Sequence, residues 1–287
     1  MKLIISRLTG GLGNQMFQYA IAKSLAKKNN DTFKLDISFY PKQTLRKYEL
    51  NLFNIKENIA SDHECNQLRG KEDFLFKVFK KLGFEKRPNS YYKEKEIAIF
   101  DDNIFHLKGD IYLDGYWQNE NYFKDIRNDI LKNFTLKQDI SKEAKNYLEQ
   151  IKNSNSVSLH IRRGDYVQNI DTNKTHGICD INYYKKAIKY IRDNVSNPIF
   201  YIFSDDIKWC KENFNFLEKK IFIDKTKSAL EDLELMKNCK YNIIANSTFS
   251  WWGAWLNENK EKIVIAPKTW WSVRPNKTIV SKNWIIL

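Results

Sequence analysis

Apolar positions crowd between Lys2 and Leu8, a glycine-rich turn follows at Thr9 to Gln15, and Phe17, Ile21 and Leu25 then recur at helical spacing. That order predicts a strand, a turn and a helix to about Asn30 with a cationic last turn (Lys27, Lys28, Asn29), then a second strand over Thr32 to Ile37. From Pro41 to Asp110 the pattern is less regular, with a lysine-rich helical piece at Phe74 to Leu82 and a loop at Arg87 to Ser90. A strand at Ile111 to Asn119 opens into aromatics and amides, a helix is expected from about Asn121 to Asn133, and a polar helix spans Ser141 to Lys152. The polar run Ser154-Asn155-Ser156 marks a boundary, giving an N-terminal domain over 1–153 and a C-terminal domain over 154–287.

The second half alternates regularly. Strands are predicted at Val157 to Ile161, Ile199 to Phe203, Lys220 to Ile223, Tyr241 to Ala245 and Lys262 to Ala266, and helices at Asn182 to Asn194, Ile207 to Phe214, Ser228 to Asn238 and Trp251 to Asn257. Ser228 and Glu231 have the spacing of a capping box. Strand–helix alternation of this kind predicts an α/β fold with a parallel sheet covered on both faces, whose ligands sit at the carboxyl ends of the strands.

Those ends carry the candidate chemistry. The first strand releases Arg162, Arg163, Gly164, Asp165 and Tyr166; the second ends in Ser204-Asp205-Asp206, the third in Asp224, and the fourth in Asn246-Ser247-Thr248-Phe249-Ser250 at a helix start. Strand alternation puts Arg162 on the face of His160. Planar guanidinium groups suit phosphate in a two-pronged contact, yet arginines in such a place also serve as structural ion-pair partners of Asp165 or other acids. Hydroxyls, an amide and free N–H groups at a helix start add an anion site on the same rim, and together these features point to a nucleotide diphosphate.

Other chemistries fit less well. The turn Gly11-x-Gly13 followed by Met16 departs from the dinucleotide fingerprint, although Asp36 stands where its ribose acid would. No Walker sequence occurs, the four histidines lie far apart, and no D-x-D triplet offers a divalent cation a seat; Asp205 and Asp206, being adjacent, point different ways. No metal and no cofactor is therefore expected, and positive charge at the site must come from the protein. The formal net charge of +13 suggests an acidic partner, although much of it is lysine spread over helical faces such as Lys23, Lys27 and Lys28. Cys65, Cys179, Cys210 and Cys239 are scattered as reduced thiols of a cytosolic protein would be, and no apolar run reaches the length of a membrane span.

The chain resembles glycosyltransferase family 11, the α-1,2-fucosyltransferases of bacterial surface polysaccharides and blood-group-type glycans. Four stretches carry the resemblance in order: Gly10 to Ala20, His160-Ile161-Arg162-Arg163-Gly164-Asp165, Phe203-Ser204-Asp205-Asp206, and Asn246 to Trp252, with Gly115-Tyr116-Trp117-Gln118 and Tyr122-Phe123 as a weaker fifth. The resemblance implies two Rossmann-like domains facing each other in the GT-B manner, GDP-L-fucose as donor substrate, no metal requirement, and inversion at the anomeric carbon. It further implies that Arg162 holds the β-phosphate, that His160 lies beside the nucleotide, that Asp205 reads guanine or ribose, and that Ser247 and Thr248 meet the diphosphate. Arg163, Ser204, Asn246, Phe249 and Ser250 complete the expected donor site, with Asn14 reaching the donor from the first domain. Tyr116, Trp117 and Gln118 are expected at the acceptor, although the aromatic pair also reads as ordinary core. Asp165 and Glu120 are the candidates for the base. Residues 40–110 match nothing in the resemblance and are where acceptor choice is expected to reside.

The expected activity is transfer of L-fucose to the 2-hydroxyl of a terminal galactoside on an oligosaccharide or lipid-linked glycan, in surface polysaccharide or O-antigen synthesis. The expected setting is the cytoplasm, with peripheral contact at the inner membrane face left open. A transferase using another GDP-sugar or another hydroxyl is the alternative within enzymes. A non-catalytic carbohydrate-binding module accounts for Tyr116 and Trp117 but not for the arginine pair. A nucleic-acid binder, which the net charge alone would allow, predicts steeply salt-dependent binding to any polynucleotide and is not expected.

Overall fold

A computed structural model of the chain describes residues 1–274 and 277–287, with the side chains of Leu75, Asp165, Gln168, Ile170 and Thr172 outside the described set. The chain divides into two compact units, Met1–Lys137 and Gln138–Leu287. The division falls ahead of the polar helix at Lys142–Lys152 rather than after it, because this helix packs within the second unit. Ser141, its N-cap, donates its backbone N–H to the Glu231 carboxylate at 2.7 Å.

The first unit runs β1 (Leu3–Arg7), α1 (Leu12–Asn29), β2 (Thr32–Asp36), α2 (Asp62–Arg69), α3 (Phe74–Lys81), β3 (Tyr91–Lys93), β4 (Ile111–Asp114) and α4 (Arg127–Asn133). Its four-stranded parallel sheet has the order β2-β1-β4-β3. Helix α1 buries Met16, Phe17, Ile21 and Leu25, and also two glutamines that the motif made conspicuous. Gln15 donates to the Lys47 carbonyl at 2.8 Å and accepts the Glu49 N–H at 3.0 Å, while Gln18 accepts the Thr9 N–H at 2.9 Å and donates to the Gly115 carbonyl at 3.0 Å. Both side chains hold loops that would otherwise leave buried backbone groups unpaired. Asp36 is committed as well. It accepts from Arg69 at 2.9 Å, from Tyr112 and from the Ser38 N–H, so its place in the partial dinucleotide fingerprint is taken by a buried ion pair.

The helix expected over Asn121 to Asn133 is broken into 3-10 turns at Glu120–Tyr122 and Lys124–Ile126 before α4 begins. Phe123 takes φ −145° and ψ 2°, outside the helical region, and its buried ring meets Phe17 edge-on at 5.8 Å. Core packing overrides local propensity there.

The second unit runs α5 (Lys142–Lys152), β5 (Asn155–Ile161), α6 (Gly164–Gln168), α7 (Ile170–His176), α8 (Ile181–Asn194), β6 (Pro198–Ser204), α9 (Ile207–Asn213), β7 (Lys220–Phe222), α10 (Ala229–Asn238), β8 (Tyr241–Ile243), α11 (Thr248–Leu256), β9 (Val264–Ala266) and β10 (Ile285–Ile286). Its six-stranded parallel sheet has the order β10-β9-β8-β5-β6-β7. The chain builds outward from β5 through β6 and β7, then returns to the other side of β5 with β8. The doubly wound order therefore reverses between β5 and β8, and a crevice at that point is where such sheets take ligands. One face of the sheet packs Val157, Leu159 and Ile161 under α8, and the other packs Tyr201 and Phe203 under α5 and α10.

One local expectation changes. The Ser228–Glu231 capping box is only half formed: Ser228 accepts the Glu231 N–H at 3.4 Å, but the Glu231 carboxylate turns to Ser141 and to the Lys227 N–H. A reciprocal box occurs instead at Ser61 and Glu64. Among the described residues all four cysteines are free thiols, and no helix is long and apolar enough to cross a membrane.

Candidate functional site

Register explains why the two arginines meet the two acids. β5 and β6 run in step, with His160 opposite Phe203 and Ile161 opposite Ser204, so the next residues of each strand emerge side by side. Arg162 Nη1 lies 2.9 Å from Asp205 Oδ2, and the Arg163 N–H donates to Asp205 Oδ1 at 2.9 Å. Arg163 Nε meets Asp206 Oδ2 at 3.3 Å, and its guanidinium lies over the Trp209 ring, 3.9 Å from the centroid. Asp206 also caps α9 by accepting the Trp209 N–H at 3.1 Å, while its own N–H donates to Ser204 Oγ at 2.9 Å. The two carboxylates thus meet different guanidinium groups, and the ion-pair reading of Arg162 and Arg163 holds with Asp205 and Asp206 as partners. These pairs orient the guanidinium planes while both arginine side chains stay in contact with solvent.

Gly164 makes this packing possible. A Cβ there would lie 2.5 Å from Asp205 Oδ2, so only glycine lets the start of α6 sit against that carboxylate. Asp165 follows in α6, but its side chain lies outside the described residues. Tyr166 carries the connection across to β8: its ring lies 5.5 Å from the Arg162 guanidinium, stacks on His176 at 5.0 Å, and its hydroxyl donates to the Asn246 carbonyl at 3.3 Å.

His160 is buried one residue before the strand ends, and its ring lies 5.8 Å from Phe249 at the start of α11. Its Nδ1 is enclosed without a hydrogen-bond partner among the described residues. Burial pushes the imidazole down to about 4; Asp205 pulls it upward and Arg162 adds to the lowering. His160 is thus neutral at physiological pH beside the arginine.

The β8 end supplies a second component. Asn246 is buried and donates through Nδ2 to the carbonyls of His176, Gly177 and Trp270, at 2.9, 3.3 and 3.3 Å, while its Oδ1 accepts from the Cys179 thiol at 3.5 Å. Its amide therefore fastens neighbouring loops. Ser250 is buried and points back at the Ala245 and Ser247 carbonyls. Ser247 occupies the N-cap of α11 without a side-chain capping bond, and the first turn of that helix holds no acidic residue. The leading N–H groups of a helix have no intrahelical acceptor, and the N-terminus carries partial positive charge. Trp251 and Trp252 anchor this helix in the core, with Trp251 Nε1 donating to the Ile279 carbonyl at 2.8 Å.

The second unit therefore gathers His160, Arg162, Arg163, Ser204 and Asp205 with the Asn246 to Ser250 turn around the strand ends. Asp224, at the outer strand β7, is engaged by Lys211 at 2.8 Å and by Tyr147 at 3.2 Å. Among the described residues no three His, Cys, Asp or Glu side chains gather as a cation site requires.

Asn14, Tyr116, Trp117 and Gln118 belong to the first unit, where they form a cluster of their own. Gln118 Nε2 donates to Asn14 Oδ1 at 2.9 Å. The Glu94 carboxylate accepts the N–H groups of Tyr116 and Trp117 at 2.7 and 3.1 Å, and a Cβ on Gly115 would lie 2.4 Å from Glu94 Cβ. Trp117 is wholly buried at φ 58°, a conformation bulky residues rarely adopt. Burial takes Trp117 off any surface on which a sugar stacks and leaves Tyr116 as the exposed aromatic of the pair. Sequence reasoning missed Glu94, His176 and Trp209, because none sits in a motif; only the fold brings them to these loops.

Comparison with known proteins is consistent along the whole chain. The family model for glycosyl transferase family 11 matches residues 3–287. An alpha-1,2-colitosyltransferase of Escherichia coli is 38% identical, covering 94% of this chain and 93% of its own length. The O-antigen biosynthesis glycosyltransferase WbnK of Escherichia coli is 35% identical over 98% of this chain and 99% of its own. A galactoside alpha-(1,2)-fucosyltransferase 2 of Bos taurus is 27% identical over 86% of this chain and 67% of its own. Among solved structures, Arabidopsis thaliana FUT1 in complex with GDP superposes with a TM-score of 0.51 at 10% identity, covering 92% of this chain and 70% of that one. POFUT1 in complex with GDP-fucose does so at 0.50 and 12%, covering 91% and 96%. At those identities the likeness is one of fold.

Proposed function

The chain belongs to glycosyl transferase family 11, and we propose that it transfers L-fucose from GDP-β-L-fucose to the 2-hydroxyl of a terminal galactoside, with inversion and without a metal, in the building of a surface polysaccharide or O-antigen. The observation that carries the reading is the meeting of Arg162 with Asp205 at the β5–β6 strand ends, in the unit where the unpaired start of α11 stands at the β8 end.

In this mechanism the acceptor oxygen forms a bond to the anomeric carbon as the bond from that carbon to the β-phosphate oxygen breaks. The electron pair leaves with GDP, and the hydroxyl proton passes to a base, for which Asp165 and Glu120 are the candidates. Arg162 meets the charge developing on the departing phosphate, with Asp205 holding the guanidinium in plane. The N–H groups at Ser247, Thr248 and Phe249 add fixed dipoles that require no reorganisation as the bond breaks. Neutral His160 beside the nucleotide adds no competing positive charge. The reading keeps the donor on the strand ends of the second unit, takes Asn14 as a further donor contact, and takes Tyr116 and Gln118 as acceptor contacts.

A second reading keeps the chemistry and changes the donor sugar: a colitosyl donor, favoured by the 38% identity to the alpha-1,2-colitosyltransferase. Turnover of both donors with lactose and with N-acetyllactosamine, in EDTA, beside Arg162→Ala, tests both readings. Fucose transfer that survives EDTA and falls at least a hundredfold in the variant, with a 1,2-linked product by methylation analysis, supports the proposal. Turnover confined to the colitosyl donor replaces the sugar and keeps the site. Failure of GDP to bind at all removes the nucleotide site.

A further inference from the structure

Among the described residues, the most concentrated run of exposed large apolar side chains lies in the region to which the motifs assign nothing. Phe74, Val78, Phe79, Leu82 and Phe84 are all exposed, Phe74 at 78% and Phe84 at 70%, within and just beyond α3. Phe74, Val78 and Leu82 recur every fourth residue and line one stripe, with Phe79 beside it. Scattered apolar residues on a surface need no explanation, but a contiguous stripe of three phenylalanines, a valine and a leucine does.

The stripe is a built feature. Asp73 caps the helix by accepting the Phe76 N–H at 2.9 Å. At the other end Gly83 takes φ +87°, its N–H reaches the Lys80 carbonyl at 3.1 Å, and the Phe84 N–H reaches the Phe79 carbonyl at 2.9 Å. This is the left-handed glycine stop in which the residue after glycine is drawn back over the last turn, and it sets Phe84 over the Phe79 end of the helix. From beneath, Arg87 ties the helix down: its guanidinium lies 4.3 Å from the Phe76 ring and 4.4 Å from Tyr91, and it donates to the Arg69 carbonyl at 2.9 Å. Phe76 thus faces the protein while the other aromatics face out.

Charge selects the occupant. Arg87 pairs with both Glu72 and Glu85, and Glu85 also meets Lys80, so these two acids are neutralised locally, while Asp73 is committed to capping the helix. Lys71, Lys77, Lys81 and Lys86 are exposed around the stripe and have no ion-pair partner among the described residues. A short helix with an outward aromatic stripe flanked by lysines has the chemistry of an interfacial anchor: rings enter the acyl boundary while lysine stems extend to the headgroups. A second copy of this chain would bring the same lysines face to face and repel.

We propose that α3 and the Leu82–Phe84 turn form a docking face for an anionic lipid bilayer, with Phe74, Phe79, Leu82 and Phe84 inserted and Lys71, Lys77, Lys81 and Lys86 on the headgroups. The proposal stands on this surface and not on the identity of the donor sugar. Such a face would hold the enzyme where a lipid-linked acceptor resides.

Co-sedimentation of the full chain with vesicles of phosphatidylcholine, with and without phosphatidylglycerol, tests it, beside F79S/F84S and K77E/K81E. The expected result is binding to the anionic vesicles only, weakened by salt but not abolished, and reduced at least about tenfold in each double variant. Both pairs are exposed, so unchanged melting temperatures are expected and show that folding is intact. Absence of binding to anionic vesicles overturns the proposal. So does binding that F79S/F84S leaves unchanged, which would make the contact one of charge alone, or a concentration-dependent dimer that F79S/F84S dissolves without any vesicle binding. GDP affinity, which belongs to the second unit, is expected to be unchanged in both variants, so failure of the docking face and failure of the transferase reading are separable.

Discussion

The backbone at Gly164 lies so close to Asp205 that a Cβ on the glycine would stand 2.5 Å from the aspartate Oδ2. The glycine of one strand end is therefore the seat for the acid of the next. Gly164→Ala must displace Asp205, and Arg162 and the Arg163 N–H with it. The expected outcome is a loss of GDP affinity of at least about tenfold by calorimetry with a stability change under about 2 kcal/mol, since the contact lies at a partly exposed strand end. Unchanged affinity would show that Asp205 does not position Arg162.

Burial of neutral His160 makes stability depend on pH. Its imidazole titrates near 4 in the folded chain against an ordinary value of 6.5, with Asp205 opposing and Arg162 reinforcing the depression. Between those values the unfolded chain binds more protons than the folded one. Stability is thus retained above pH 6.5 and lost progressively as pH falls toward 4, by about 3 kcal/mol at most. Urea denaturation across that window is expected to show the decline, and His160→Asn to reduce its slope.

Asn246 closes its loops through one amide. Asn246→Ala removes the donor to three backbone carbonyls, of which the Trp270 contact is buried, and a destabilisation of about 2–4 kcal/mol is expected by chemical denaturation. Asn246→Asp is expected to be similarly costly, because a buried carboxylate would face carbonyl oxygens. A loss under 1 kcal/mol in either variant would mean that the loops hold without it.

Glu94 holds the Tyr116–Trp117 turn through two backbone N–H groups, against the unfavourable φ of Trp117. Glu94→Ala should release that turn, with a stability loss of about 2–3 kcal/mol and a change in the fluorescence of the buried Trp117. If acceptor is met by Tyr116, the variant raises KM for the galactoside more than for the donor. Equal changes in both would place this loop outside acceptor recognition.

Much of this architecture was legible in the chain itself. Strand and helix alternation in the second half required only local periodicity, and the motifs at Gly10 to Ala20, His160 to Asp165, Ser204 to Asp206 and Asn246 to Trp252 fall at the turns that follow β1, β5, β6 and β8. Backbone chirality and the side-chain period carry that information without reference to any distant residue. What remained hidden was decided by contacts between residues far apart in sequence. Phe123 breaks an expected helix because its ring packs on Phe17; Glu231 abandons a capping box because Ser141 lies across from it; Ile285–Ile286 becomes a strand only because β9 offers an edge. The same holds at the site. The sequence determined that arginines, acids and a helix start would share a rim, but the in-step register of β5 and β6 decided that Arg162 meets Asp205, that Arg163 meets Asp206, and that a side chain at Gly164 would have to displace Asp205. Local preference is written residue by residue, whereas partner choice depends on which surfaces the whole chain must bury.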